Sequence, residues 1–415
     1  MHPQENSYSD MKKDIKIFTK WFEMSLVLRI VGGLIVGSCL GLLVPQWTWI
    51  GIMGIAFVSA LKAIAPVLVA VLVAVSIAKA GNGLGSRFQV VISQYILSTF
   101  IAAMCAVVGS FLFPITLKLT DAVDQSVPGA LSDVFSNLLT NMVTNPVMSI
   151  SQANYIGILF WSILIGIALR MKASQPTISL VQDISDAITL TVRWVIEFAP
   201  FGVMGLVFTS VSDNGLNVFS TYGQLMLLLI GCMLACALIF NPLIYLVMLR
   251  RNPYPLLFLC LKESGLQAFF TRSSAANIPI NMALCKKLGL DENFYSVSIP
   301  LGATINMDGA AVTITVMSLA VAHTMGVEVS FASALFLSVI ATLAACGTSG
   351  VAGGSLLLVP MACSFFNIGN DVAMQAVAIG FIIGVIQDSV ETALNSSSDV
   401  FFTTAAEYYD RKKNG

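Results

Sequence analysis

The chain has 415 residues, of which 57% are apolar and only 10% charged. Soluble domains carry roughly 25% charged side chains, so a globule covered by water is excluded and a lipid bilayer is the expected solvent. The net charge of −1 identifies no partner, and no nucleic-acid partner is expected, but the distribution of charge along the chain is informative.

Lys12, Lys13, Lys16 and Lys20 precede an apolar run from Ser25 to Val44 with no small-residue cleavage pattern after it. This run reads as a retained first span behind a cytoplasmic segment 1–24, not as a cleaved signal peptide. A span needs about 20 apolar residues. Six candidates follow in order, at 25–44, 51–78, 89–117, 134–169, 188–212 and 215–249. The fourth is broken by Asn141, Pro146 and Asn154, so that part of it need not cross. Segments 119–133 and 171–187 read as polar connections.

Lysine and arginine mark the cytoplasmic side. They follow spans 2, 4 and 6, as Lys79 and Arg87, Arg170 and Lys172, and Arg250 and Arg251. None follows spans 1 and 5, and only Lys118 follows span 3, beside Asp121, Asp124 and Asp133. The N-terminus is therefore placed inside. The glycines of Gly81-Asn-Gly-Leu-Gly85 follow no strand and read as a cytoplasmic turn rather than a nucleotide loop.

The apolar segment from Pro253 to Leu288 is interrupted by Thr271-Arg-Ser-Ser-Ala-Ala-Asn277, and each half is too short to cross. Arg250 and Arg251 precede it and Lys286 and Lys287 follow it, which suits a re-entrant hairpin entered from the inside. A span near Tyr295–Met325 comes next. Segment 330–366 repeats the pattern around Cys346-Gly-Thr-Ser-Gly-Val-Ala-Gly-Gly-Ser355, with no basic residue on either flank, as a hairpin entered from outside. A last span near Asp371–Phe402 leads to Arg411, Lys412 and Lys413 in a cytoplasmic tail, 403–415. The expected fold is all-α, with eight transmembrane helices, two re-entrant helical hairpins and both termini inside. A rival keeps each interrupted segment as one kinked helix. It gives ten spans and puts Lys286 and Lys287 outside. Paired interrupted segments in a membrane chain point to a transporter's binding site.

All eight cysteines lie in apolar stretches without a C-x-x-C pair, and His2 and His323 are the only histidines. Buried packing explains the thiols, and no His-rich metal site is expected. Between Lys287 and Arg411 there is no lysine or arginine, yet Asp308, Asp388, Glu391 and Asp399 fall within expected spans. Buried carboxylates in a bilayer are costly. Protonation, a bound cation, or pairing with a distant basic group such as Arg272 would each answer the cost. In Gly302-Ala-Thr-Ile-Asn-Met-Asp-Gly309, the side chains of Asn306 and Asp308 would point about 200° apart on a straight helix. Both reach one ion only if the helix unwinds there, which also frees carbonyl oxygens as ligands for a hard cation. Asn395 and Asp399 share a helical face. Ser273 and Ser274 sit at a hairpin tip, where free N–H groups and a helix start suit a substrate carboxylate.

These motifs resemble the glutamate-transporter-like family, the dicarboxylate/amino acid:cation symporters, over nearly the whole chain. Thr271-Arg-Ser-Ser-Ala-Ala-Asn-Ile-Pro279 and Glu391-Thr-Ala-Leu-Asn-Ser-Ser-Ser-Asp399 are similar to a bacterial branch that carries serine and threonine with sodium. The resemblance implies an elevator-type transporter, a homotrimer in the bacterial inner membrane. Residues 25–250 would be mostly scaffold and trimerisation helices, with span 3 joining a transport core at 251–402. It implies that Ser273 and Ser274 hold the substrate carboxylate, with Thr392 and Asn395 nearby. Asp388 would take the ammonium, and Val351 and Gly353 would close as an outer gate. Gly302, Asn306, Asn395 and Asp399 would form one sodium site, and Asp308 with Ser98 and Thr99 another. Thr304 with the backbone at Ala345, Cys346 and Thr348 would form a third. The resemblance implies sodium as the coupling ion and no organic cofactor.

Members that carry acidic substrates have arginine where this chain has Glu391 and threonine where it has Ala310. An acid at 391 should repel aspartate and glutamate, so a small neutral substrate is expected, its hydroxyl bonding near Asp388 or Thr392. Arg272 is expected to pair with Glu391 or Asp388. Ala352, where relatives often have proline, is a further departure. An intramembrane aspartyl protease is excluded by its missing motifs: the only Tyr-Asp, Tyr409-Asp410, lies beyond the last span. A channel lined by the same carboxylates remains the other class, separable by saturable, slow uptake.

Overall fold

The computed structural model describes residue 24 and residues 26–79, 86–119, 140, 142–346, 348 and 353–414. The turn expected at Gly81–Gly85 and most of the 119–133 connection lie outside them. Among the described residues every regular element is helical. The first half gives α1 (Leu26–Leu43), α2 (Gly51–Lys79), α3 (Ser86–Leu112), a short α4 (Pro146–Ser151), α5 (Tyr155–Lys172), α6 (Gln175–Glu197) and α7 (Ala199–Asn214). Among the described residues, five helices are long and apolar enough to cross a bilayer, or six if the bent pair α6–α7 counts as one span. Leu28–Leu43 and Phe331–Ala345 are apolar but shorter.

The breaks expected in the fourth span are visible as caps. Asn145 accepts from the backbone N–H of Val147 and Met148 and starts α4. Asn154 accepts from Gly157 and starts α5. An Asn cap satisfies N–H groups that a helix start leaves free.

Segment 171–187 is not simply a polar connection: Gln175 onward is helical, and α6 runs to Glu197. Ile178, Val181, Ser185, Ile188, Val192 and Ile196 recur every three or four residues and are buried or half-buried, while Ser179, Asp183, Asp186, Thr191 and Arg193 between them are exposed. The polarity belongs to one face of an amphipathic helix. The chain then bends by 50° at Phe198, and Pro200 opens α7.

The second half holds α8 (218–249), α9 (254–271), α10 (Ser274–Lys287), α11 (Glu292–Ile305), α12 (Asp308–Thr324), α13 (Phe331–Ala345), α14 (Val359–Ser364) and α15 (Asn370–Asn414). Helices α8 and α9 each contain a π turn, at Cys236–Phe240 and Leu261–Gly265. Helix α15 runs 45 residues without a break, so the segment after Phe402 continues the last span as helix.

Helices α9 and α10 run antiparallel. Ser264 donates to Asn281 Oδ1 at 2.5 Å, and Lys287 lies 3.3 Å from Glu263. Arg272, left-handed at φ 52°, ends α9, and the Ser273 hydroxyl caps α10 by accepting from the Ala276 N–H. Between α13 and α14, Cys346, Thr348 and Gly353–Ser355 are described, while Gly347 and Ser349–Ala352 lie outside the described residues.

Two packing groups follow from the contacts. Helices α1, α2, α5, α6 and α7 pack chiefly on one another, while α12 and α15 lie at the centre of the rest. Helix α8 packs on α3, α12 and α15. Every residue of α12 from Asp308 to Ala322 is buried, as expected of a helix surrounded on all sides.

Candidate substrate and cation site

The path from α11 to α12 is not helical at Asn306 (φ −92°, ψ 82°) and Met307 (φ −123°, ψ 53°). The break turns Asn306 and Asp308 toward common neighbours. Ser98 donates to Asp308 Oδ1 at 2.8 Å and to Asn306 Oδ1 at 3.3 Å. Thr99 donates to Asp308 Oδ1 at 3.2 Å, and Asn241 donates to Oδ2 at 2.8 Å. Two elements, α3 and α8, thus converge on a fully buried carboxylate of α12.

Asn306 reaches the other way. Its amide donates to Asp399 Oδ1 at 2.9 Å, to the Ser398 hydroxyl at 2.8 Å and to the Asn395 carbonyl at 3.3 Å. Asp399 Oδ2 is buried and accepts no hydrogen bond from any of the described residues. Gly302 lies against this group: a Cβ there would sit 2.6 Å from Asp399 Oδ1 and 2.9 Å from the Tyr95 hydroxyl. Among the described residues no three His, Cys, Asp or Glu side chains gather as metal ligands. A cation here would be held by carboxylate, amide and backbone oxygens. An unpartnered carboxylate oxygen beside freed carbonyls has the chemistry for that, since a buried charge without a partner is costly.

On α15, Asp388 and Glu391 have separate partners. Arg272 Nε donates to Asp388 Oδ2 at 2.6 Å, and the Gly353 N–H donates to Oδ1 at 3.1 Å. Of the two expected partners of Arg272, Asp388 forms this ion pair. Glu391 Oε2 instead accepts from Gln387 at 2.6 Å, Thr313 at 2.7 Å and Ser355 at 2.9 Å. Thr392 donates to the Asp388 carbonyl at 2.7 Å, and Asn395 Oδ1 accepts from the Gly309 N–H at 2.7 Å. Ser274 and Ala310 are buried.

Thr304 donates to the Leu301 carbonyl at 2.7 Å, and Thr348 to the Ala345 carbonyl at 2.9 Å. The Cys346 thiol lies 3.5 Å from the Ile305 carbonyl, next to Thr304. Val351 lies outside the described residues.

Several partners of the site carried no signal in the chain beyond being polar residues in apolar segments. Asn241 follows the π turn of α8, a local widening often found at functional sites. Tyr95 bonds Thr403 at 3.0 Å beside Asp399. Gln387, Thr313 and Ser355 hold Glu391. Ser264, Asn277, Asn281 and Ser396 form a buried network in which Asn277 and Asn281 donate to Ser396 Oγ at 2.8 and 3.1 Å, fastening the α9–α10 hairpin to α15.

Interrupted helices and a reversing α9–α10 segment that bring polar and charged groups together inside an apolar helical body define a membrane transporter. The model of the sodium:dicarboxylate symporter family matches residues 26–408. The chain belongs to that family, whose members are symporters and not enzymes. It is 57% identical to the serine/threonine transporter SstT of Bifidobacterium adolescentis over 94% of this chain and 91% of the relative. It is 52% identical to SstT of Streptococcus thermophilus over 96% of this chain and 100% of that protein. SstT of Enterococcus faecalis is 54% identical over 95% and 94% of the two chains.

Proposed function

We propose that this protein carries serine and threonine into the bacterial cell together with sodium, across the inner membrane. The observation that carries the reading is the pairing of an unwound segment at Asn306–Met307 with the unpartnered Asp399 oxygen. Sodium supplies a positive charge to that carboxylate. Gly302, Asn306, Asn395 and Asp399 hold one ion. Asp308 serves another with Ser98 and Thr99, and Thr304 a third with Ala345, Cys346 and Thr348.

Substrate binds between the tips of two re-entrant hairpins. Ser273 and Ser274 take its carboxylate, Asp388 its ammonium, and Thr392 and Asn395 line the cavity, with Val351 and Gly353 closing it. The names of the relatives support the substrate. Glu391 supports it too, because a buried acid disfavours a second carboxylate. Asp388 reaches the ammonium by exchanging Arg272 for it. Eight spans, two hairpins and cytoplasmic termini fit the alternation of basic loops. The core of residues 251–402 with span 3 moves as an elevator against the scaffold helices within 25–250, in a homotrimer.

The test is uptake of labelled serine by liposomes holding the purified protein, driven by an inward sodium gradient. Accumulation blocked by unlabelled threonine and not by aspartate is expected. Uptake indifferent to replacing sodium with potassium overturns the cation assignments.

A further inference from the structure

Glu391 does not take the arginine that reaches its helix. Its charge is met by three neutral donors from three segments: Gln387 on α15, Thr313 on α12, and Ser355 shortly before α14. Each donor is buried. Hydrogen bonds to an ionised oxygen are the strong kind, so the cluster holds the carboxylate in one position.

Gln387 spends both amide hydrogens on this cluster, one on Glu391 at 2.6 Å and one on Thr313 Oγ1 at 2.7 Å. Those bonds assign the amide orientation. With Glu391 ionised, the reverse orientation would set two acceptor oxygens against each other at that distance. The carbonyl oxygen, Gln387 Oε1, is left buried with no donor anywhere among the described residues. Buried acceptors are normally satisfied, and an orphan beside a binding site has the chemistry of a subsite awaiting a donor.

Along the chain, each donor of the cluster lies near a proposed substrate residue. Thr313 is one turn from Ala310, Ser355 is two residues from Gly353, and Gln387 adjoins Asp388. Resting on the function proposed above, we infer that Gln387 is a specificity-determining residue whose Oε1 accepts the side-chain hydroxyl of a β-hydroxy amino acid. Thr313 and Ser355 act as positioning residues that hold Glu391, and through it Gln387, in that orientation. An apolar side chain such as alanine's leaves the acceptor unpaired, and that penalty supplies the preference.

The experiment is competition against labelled serine uptake in sodium-driven proteoliposomes by unlabelled serine, alanine and 3-fluoroalanine. The last has nearly the size of serine but cannot donate a hydrogen bond. In the unmodified protein alanine and 3-fluoroalanine should both compete at least about fivefold more weakly than serine, the worth of one hydrogen bond. In Gln387→Met the gap should narrow to within about twofold, because apolar replacement removes the unpaired acceptor. A 3-fluoroalanine that competes as well as serine in the unmodified protein overturns the inference, as does a Gln387→Met protein that keeps the gap. If Gln387→Met carries nothing, the three competitors in the unmodified protein still decide. Absence of sodium-driven serine uptake by the unmodified protein instead overturns the function, and the inference with it.

Discussion

Arg272 and Asp388 stand 116 residues apart in the chain and 2.6 Å apart in space, both buried. The bond joins the tip of the α9–α10 hairpin to the middle of α15. Removing one partner leaves a buried charge uncompensated. Arg272→Ala should therefore destabilise the protein by about 3–5 kcal/mol, and adding Asp388→Asn should recover much of that loss. Thermal unfolding of the two variants in detergent measures both. Equal melting temperatures for single and double variants would mean that the pair is not coupled.

Asp399 offers a test of the cation site that is independent of transport. Its Oδ2 is buried and unpartnered, so charge at this position costs stability without an ion and repays it with one. A ligand that binds the folded state raises stability by about 2.7 kcal/mol at a concentration 100 times its dissociation constant. Sodium should raise the melting temperature of the unmodified protein. Asp399→Asn should be at least as stable without sodium and gain less from it. A sodium-dependent rise that survives in the variant would place the ion elsewhere.

Gly309 lets α12 approach α15 closely. A Cβ there would lie 2.9 Å from the Cα and Cγ of Glu391. Gly309→Ala should cost about 1–3 kcal/mol as overpacking and lower serine uptake by displacing Glu391. Gly231→Ala, where nothing stands within 4 Å, is the control and should keep its melting temperature. Similar losses in both variants would show that any helix glycine matters equally.

In the turn before α11, Asp291 accepts from Arg87 at 2.9 Å, and Arg87 lies 3.6 Å from Asp410. The hydrogen bond from Arg87, then that from the Asn293 N–H, holds the Asp291 carboxyl below its ordinary value. A depressed pKa contributes stability above the unfolded value, about 3.9 for aspartate, and that contribution is lost as pH falls through the lower folded value. Asp291→Asn should therefore flatten the acid limb of a stability-against-pH curve below about pH 4 and leave its shape near pH 7 unchanged. The effect should be small, because both side chains are about one-third exposed. An acid limb of unchanged slope would remove the assignment.

The sequence by itself determined the membrane class, the apolar segments and the places where they are interrupted. A bilayer penalises polar side chains and free backbone groups, so a retained Asp308, an Arg272-Ser-Ser turn or a glycine run stands out against its neighbours without any knowledge of what it touches. The break at Asn306–Met307 was legible for the same reason: two polar residues two apart cannot serve one face of an unbroken helix. Helix α6 was not, because its exposed face is polar enough to imitate a loop when read residue by residue. Only the tertiary structure decided the partners. Asp388 and Glu391 lie three residues apart on one helix, and local spacing cannot say which of them meets Arg272. Asn241 reaches Asp308, and Ser355 reaches Glu391, through contacts between distant segments. Such contacts depend on how α3, α8, α12 and α15 pack, which no local pattern of polarity encodes.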